Sequence, residues 1–237
     1  MTQLKTLTII IACFNESGTI LGLLKKIDRA SCFGLKKEII VINDGSTDDT
    51  KNILNRNKKG IKIFHHARNL GKGASVKTGI RYSSGDILII QDADLEYDPS
   101  EYELLIGPIL RGEADVVYGS RFMGDRPHRV LYFWHAITNQ FLTFLSNMLT
   151  NINLTDMETG YKAFSGDLIR KVSRQLISDD FGFEPEVTAR LAKIPGIKFY
   201  EVGISYYGRT YAEGKHIGWY DGFKAIWQII WFNIISR

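Results

Sequence analysis

Asp86-Ile-Leu-Ile-Ile90 runs straight into Gln91-Asp92-Ala93-Asp94, and that junction decides the fold. A continuous β-branched apolar run this short reads as a strand buried on both faces, because a half-exposed strand would alternate and a buried helix would be longer. The same pattern recurs upstream. Leu7-Thr-Ile-Ile-Ile-Ala12 is a first strand, Glu38-Ile-Ile-Val-Ile42 a second, and Ile61 to His65 a third. The second is closed by the turn-forming Asn43-Asp44-Gly45-Ser46. Between the strands, Ser17 to Ile27 carries helical spacing at Ile20, Leu23, Leu24 and Ile27, and Gly73 to Ser83 reads as another helix. Ser46 or Thr47 is placed to cap a helix through Leu54, with Asp48 and Asp49 in its first turn. Strands alternating with helices predict an α/β fold with a mostly parallel central sheet flanked by helices. Such sheets bind ligands at the carboxyl ends of their strands. Asn15-Glu16, Asn43-Asp44 and Asp92/Asp94 each follow a strand directly, so all three are expected in one crevice.

The second half is less regular. Ala114 to Tyr118 reads as a strand, Glu184 to Leu191 as a helix and Lys198 to Ile204 as a strand. Phe141, Leu142, Phe144, Leu145, Met148 and Leu149 form an amphipathic helical pattern, and Trp219 to Ile235 a terminal helix. The terminal helix carries Trp219, Phe223, Ile226, Trp227, Ile230, Trp231 and Ile234 along one stripe, broadened by Ile229, Phe232 and Ile235. That pattern fits core packing, a membrane surface or a membrane-embedded partner. With no repeat or Pro-rich linker, one domain over 1–237 is expected.

Composition narrows the function classes. Hydrophobic residues make up 44% and charged residues 24% of 237, as in ordinary globular proteins. The net charge of +4 permits a phosphate-binding face, and the absence of a Lys/Arg block argues against a nucleic-acid partner. Cys13 and Cys32 make no disulfide framework. No run reaches the roughly 20 apolar residues of a membrane span, and no secretory leader is legible. A cytoplasmic protein, peripheral at the membrane face, is the expectation.

Asp92, Asp94 and Glu96 would lie on one side of an extended backbone, where their mutual repulsion calls for a cation. Mg²⁺ or Mn²⁺ suits such oxygen ligands, and Mg²⁺ characteristically shares its shell with substrate phosphates. The expected metal ligands are therefore Asp92, Asp94 and Glu96.

Four blocks then carry a resemblance: Ile9-Ile-Ile-Ala-Cys-Phe-Asn-Glu16, Val41-Ile-Asn-Asp-Gly-Ser-Thr-Asp48, Asn69-Leu-Gly-Lys-Gly73 and Asp92-Ala-Asp-Leu-Glu96. In order and spacing they resemble family 2 glycosyltransferases with a GT-A fold. The resemblance implies a nucleotide-sugar site lined by Ala12, Asn15, Glu16, Asp44, Lys72, Asp92 and Ala93, with Asp92 and Asp94 on the metal–diphosphate. The flanking Gly71 and Gly73 allow close backbone approach. Two positions depart from the family pattern: Ala12 stands where a proline is common, and Glu96 where many relatives have glutamine. Gly119-Ser-Arg121, Asp156-Met-Glu-Thr-Gly-Tyr-Lys-Ala-Phe164 and Val202-Gly-Ile-Ser-Tyr-Tyr-Gly-Arg-Thr-Tyr211 extend the likeness to polyprenol-phosphate sugar synthases of the dolichol-phosphate mannosyltransferase type.

That subfamily implies inverting transfer of a hexose from a GDP- or UDP-sugar to a polyprenyl phosphate, with 1–122 as the nucleotide-sugar-binding half and 123–237 as the acceptor-binding half. An acceptor monophosphate is already anionic, so it needs placement by cations more than a strong base. Arg121, Arg129, Arg209 and Lys215 are the candidates for gripping it, with Asp94, Asp156, Arg121 and Arg209 forming the reacting centre. Were the acceptor a saccharide hydroxyl, Asp156 or Glu184 would have to act as base. A nucleotide-binding scaffold without turnover is the alternative from another class, and a homo-oligomer is compatible with either. A dinucleotide oxidoreductase does not fit, because Asn15-Glu16 stands where Gly-x-Gly-x-x-Gly would be.

Overall fold

A computed structural model describes residues 5–124, 126–130, 132–210 and 219–236. Among the described residues seven strands form one sheet: β1 (Thr6–Cys13), β2 (Lys36–Asn43), β3 (Ile61–His65), β4 (Ile87–Asp92), β5 (Val116–Ser120), β6 (Lys162–Ser165) and β7 (Phe199–Gly203). Their spatial order is β3-β2-β1-β4-β6-β5-β7, and only β6 runs against its neighbours. The described α-helices that flank it are α1 (Ile20–Arg29), α2 (Thr50–Arg56), α3 (Lys72–Tyr82), α4 (Tyr102–Leu110), α5 (Phe133–Thr150), α6 (Gly166–Ser173), α7 (Phe183–Ala192) and α8 (Trp219–Ile230).

The continuous apolar strands follow from burial on both faces. Ile9 and Ile11 enter one core cluster with Ile20, Leu23 and Ile27 of α1, while Ile10, between them, enters the other with Val76 and Ile80 of α3. Alternation along the backbone thus serves two cores at once. Register then sets the site. Ala12 lies beside Ile42 on one side and Asp92 on the other, and Cys13 lies beside Asn43, so β1, β2 and β4 end together.

Some elements depart from the sequence reading. α2 starts at Thr50, not at Thr47, because residues 46–48 are tied elsewhere: the Thr47 and Asp48 N–H groups donate to Asn15 Oδ1, and Ser46 N–H donates to Asn43 Oδ1. β5 lies two residues further along than expected. In α5, Leu142 is buried and Leu145 and Leu149 pack on the core, but Phe141, Phe144 and Met148 are exposed, so the apolar pattern covers both faces. The terminal stripe splits likewise. Ile229 and Phe232 are buried while Phe223, Trp227, Trp231 and Ile234 are exposed, and the helix widens to π geometry over Trp231–Ile235. Cys13 and Cys32 are both buried and unpaired with each other.

On β2, Glu38 accepts hydrogen bonds from Lys62, Thr8, and the N–H and hydroxyl of Ser84. Burial raises its pKa, yet these donors outweigh it and hold it down to about 2. A depressed carboxylate stabilises the fold above its unfolded pKa, and that contribution is lost as pH falls from about 4.5 towards 2. Glu38→Gln is therefore expected to cost about 2 kcal/mol at pH 7. In urea unfolding the deficit should shrink progressively as the pH is lowered through that window.

Candidate functional site

The loops after β1 and β2 are stitched together before any ligand is considered. Asn15 sits at φ 55, a left-handed conformation asparagine tolerates, and its N–H donates to Ser46 Oγ at 2.9 Å. Asp48 accepts from the N–H groups of Thr50 and Ser17; burial pushes its pKa up, but these bonds win and bring it to about 2. Asp44 is only 3% exposed, and its carboxylate accepts from Leu70 N–H at 3.0 Å, Gly71 N–H at 2.8 Å and His66 Nδ1 at 2.6 Å. Its carboxylate therefore shapes the 66–71 loop. Gly71 and Gly73 make their close approaches to protein: a Cβ would lie 2.3 Å from Asp179 O and 2.6 Å from Ser178 O respectively. Those glycines lock the start of α3 to the chain preceding α7.

Lys72, the first residue of α3, is the centre of the charge arrangement. Its Nζ lies 2.9 and 3.1 Å from the two Asp92 oxygens and 3.1 Å from Glu184 Oε1. Burial lowers its pKa, but the two carboxylates outweigh that and hold it well above the usual lysine range. Gly160 lies against this triad. A Cβ there would stand 2.2 Å from Asp92 Oδ2 and 2.9 Å from Lys72 Nζ. Gly160→Ala is expected to displace both side chains, and a shift on the order of 1 Å at such a site costs about 10²-fold in rate. Steady-state kinetics on the folded variant would check it.

Beyond β4 the backbone does not stay extended. Residues 93–97 turn, with Leu95 at φ 65, so strand alternation does not bring Asp92, Asp94 and Glu96 onto one side. Glu96 Oε2 accepts from the Tyr206 hydroxyl at 2.6 Å and Oε1 from Arg209 N–H at 2.7 Å. It clamps the segment after β7. Ala93 is buried beneath this turn. Burial, then the charges of Asp92 and Glu96, raise the Asp94 pKa, with Arg209 opposing. Among the described residues no three acidic, His or Cys groups form a metal cluster. Asp92 and Asp94 nevertheless fit a hard cation, which takes one or two carboxylates plus substrate phosphate oxygens.

Among the described residues the expected cations are all engaged. Arg209 Nη2 lies 2.8 and 2.9 Å from the Glu16 carboxylate oxygens, and its Nε is 3.3 Å from the Asp94 carbonyl. Arg121 makes a bidentate pair with Asp156 at 2.6 and 2.7 Å, adds its own N–H at 3.0 Å, and lies over the Tyr206 ring. Asp156 is fully buried in this pair. Arg129 donates to Gly208 O at 2.9 Å and, with Tyr132, Arg209 and Thr210, lines a cavity of about 210 Å³. Lys215 lies outside the described residues. His66, Glu158 and Tyr206 were not singled out from the sequence, although Glu158 and Tyr206 fall inside blocks that carried the resemblance.

Carboxylates gathered at the ends of β1, β2 and β4, on a sheet in which only β6 is reversed, are the arrangement of the GT-A class of glycosyltransferase folds. The profile of glycosyl transferase family 2 matches residues 8–173. The chain belongs to that family and is a glycosyltransferase. It is 25% identical over 244 residues to a UDP-N-acetylglucosamine–dolichyl-phosphate N-acetylglucosaminyltransferase of Methanococcus voltae, covering 95% of each. It is 26% identical over 235 residues to a dolichol-phosphate mannosyltransferase of Pyrococcus furiosus, covering 97% of this chain and 65% of that one. Among solved structures it resembles glucosyl-3-phosphoglycerate synthase from Mycobacterium tuberculosis in complex with Mg²⁺ and UDP. The TM-score is 0.71 at 20% identity, over 97% of this chain and 79% of the other.

Proposed function

We propose that this glycosyltransferase moves a hexose from a GDP- or UDP-sugar to a polyprenyl phosphate, with inversion, at the cytoplasmic face of a membrane. The donor side rests on Asn15, Glu16, Asp44, Asp92 and Asp94 gathered at three strand ends in register, with Lys72 at the start of α3 against Asp92. Asp92 and Asp94 would hold Mg²⁺ or Mn²⁺, whose contribution is to stabilise charge on the departing diphosphate. Asp44 acts on the nucleoside through the 66–71 loop it shapes, and Lys72 balances the carboxylates around the diphosphate.

One observation carries the choice of a lipid acceptor. α5 exposes Trp134, Ile137, Phe141, Phe144 and Met148 at helical spacing, and α8 with its π extension exposes Phe223, Trp227, Trp231 and Ile234. These two helices pack against each other. A patch of this composition suits a membrane surface or a membrane-embedded partner. No described helix is long and apolar enough to cross a membrane. The names of the archaeal relatives support the same acceptor class. The burial of Asp156 in its pair with Arg121 favours an acceptor that needs no base. Arg209 and Arg129 then position the acceptor phosphate, with Arg209 exchanging Glu16 for it and Lys215 a further candidate.

The test is direct. The protein with Mn²⁺ and a panel of GDP- and UDP-hexoses is offered polyprenyl phosphate in vesicles, 3-phosphoglycerate and a soluble oligosaccharide. Glycolipid should form from polyprenyl phosphate. Products on the soluble acceptors alone would overturn the proposed acceptor.

A further inference from the structure

α3 and α6 pack side by side on one face of the sheet, and between them lies a cavity of about 560 Å³. Lys77, Thr78 and Arg81 line it from α3, Arg170 and Arg174 from α6 and its C-cap, and Asp179 from the segment before α7. A spacing of four residues brings Lys77 and Arg81 to one face of α3, and Arg170 and Arg174 to one face of α6. Like charges at that spacing repel, and here two such pairs face one cavity. Only part of this charge is answered. Asp179 pairs with Lys77 at 2.7 Å and Asp167 with Arg170 at 2.9 Å, and both acidic residues are exposed. Arg170 is further fixed by donating to Gly85 O at 2.9 Å. Among the described residues no carboxylate pairs with Arg174, or with Arg81, which lies over the Tyr82 ring.

This cavity is separate from the strand ends. β6 is reversed, so the chain enters α6 at the other edge of the sheet, where Gly166 N–H donates to Asp86 O just before β4. Asp92 closes the same strand at its far end. A guanidinium presents five donors in a fixed fork, a geometry that carboxylates and phosphates match. Charge decides between the two. A phosphomonoester carries about −1.5 to −2 at pH 7, which suits two unanswered guanidinia better than a single carboxylate does. The volume falls within the roughly 300–1,000 Å³ of small-molecule sites, leaving room for a phosphate together with the group that bears it. We infer that the cavity between α3 and α6 binds a phosphomonoester, gripped by Arg81 and Arg174 and flanked by Lys77 and Arg170. The ester is either soluble or the headgroup of a lipid, since the same guanidinium–phosphate contacts hold both. The inference is independent of the donor and acceptor proposed above.

The experiment separates the cavity from general surface charge, and the two sources from each other. Glycerol 3-phosphate is titrated by calorimetry, and vesicles of phosphatidylcholine with and without phosphatidic acid are tested by co-sedimentation. A chelator is present throughout, so that the strand-end carboxylates hold no metal. Wild type is compared with Arg81→Gln/Arg174→Gln and with Lys58→Gln/Lys59→Gln. The lysine variant removes the same charge after α2, whose Leu54 packs in the core cluster on the opposite face from α3. All four residues are exposed, so neither variant alters the core. The arginine variant should bind glycerol 3-phosphate at least about tenfold more weakly, or lose the extra sedimentation that phosphatidic acid confers, while the lysine variant keeps both. A loss that includes the soluble ester assigns the cavity to a free phosphomonoester; a loss confined to the vesicles assigns it to a lipid headgroup. Equal behaviour of the two variants, or a wild type that binds neither probe, would overturn the inference. Should the double variant not fold, Arg81→Gln and Arg174→Gln decide singly, each weakening binding at least about threefold.

Discussion

Asp94→Asn is expected to lose sugar transfer by at least about 10²-fold, with little change in thermal stability. The side chain keeps its size, and the hydrogen bond that Asp94 Oδ1 accepts from Glu96 N–H at 3.1 Å can be kept by the amide oxygen. What disappears is a negative charge in a spot already crowded by Asp92 and Glu96, where burial and these neighbours raise the Asp94 pKa. Removing charge from such a cluster relieves the empty protein, so folding should not suffer. The loss falls on the bound state, where a divalent cation and a diphosphate need that carboxylate; single electrostatic stabilisers of this sort are worth about 10²–10³ in rate. Full turnover in the variant would remove Asp94 from the site. Steady-state transfer at saturating Mn²⁺, alongside thermal melting, distinguishes the outcomes.

Asp156→Ala should behave the opposite way, as a stability defect first. It strips the partner from Arg121, a guanidinium whose side chain is only 10% exposed and whose pKa the adjacent Asp156 carboxylate, against the effect of burial, holds well above the arginine range. Leaving one member of a buried pair uncompensated costs about 3–5 kcal/mol, which for a chain of this size lowers the melting temperature by roughly 10 °C. Replacing both, as Arg121→Met with Asp156→Leu, should recover part of that loss, since no orphaned charge remains. Circular dichroism melts of the three variants would show it. An Asp156→Ala protein that melts like the wild type yet cannot transfer sugar would return Asp156 to the chemistry.

These two residues also mark where sequence stops being informative. β1 to β4 were legible because short apolar runs buried on two faces admit few other structures, and the parallel register then brings Ala12 and Asp92 together without further information. Local turn chemistry located Asp44 but not its occupation by Leu70 and Gly71, since those N–H groups lie 26 and 27 residues away. The reading of Glu96 carried extended geometry past β4, whereas Leu95 adopts a positive φ and the Glu96 carboxylate meets Tyr206 and the Arg209 backbone. Arg121 with Asp156 and Glu16 with Arg209 pair across 35 and 193 residues. No local period encodes such contacts; the quoted blocks identified the residues but not their partners. The apolar stripes of α5 and α8 were visible as patterns, while which of their residues face outward depends on how the two helices pack.

The account stands or falls on a nucleotide-sugar held at the strand ends by Asp92 and Asp94 with a divalent cation. Calorimetric titration of GDP- and UDP-hexoses into the wild-type protein, with Mn²⁺ and again after chelation, measures this most directly. One donor class should bind in the micromolar range with metal and at least about tenfold more weakly without it, and Asp92→Asn should abolish the difference. Binding indifferent to chelation and to Asp92→Asn, or no binding of any donor, would contradict it.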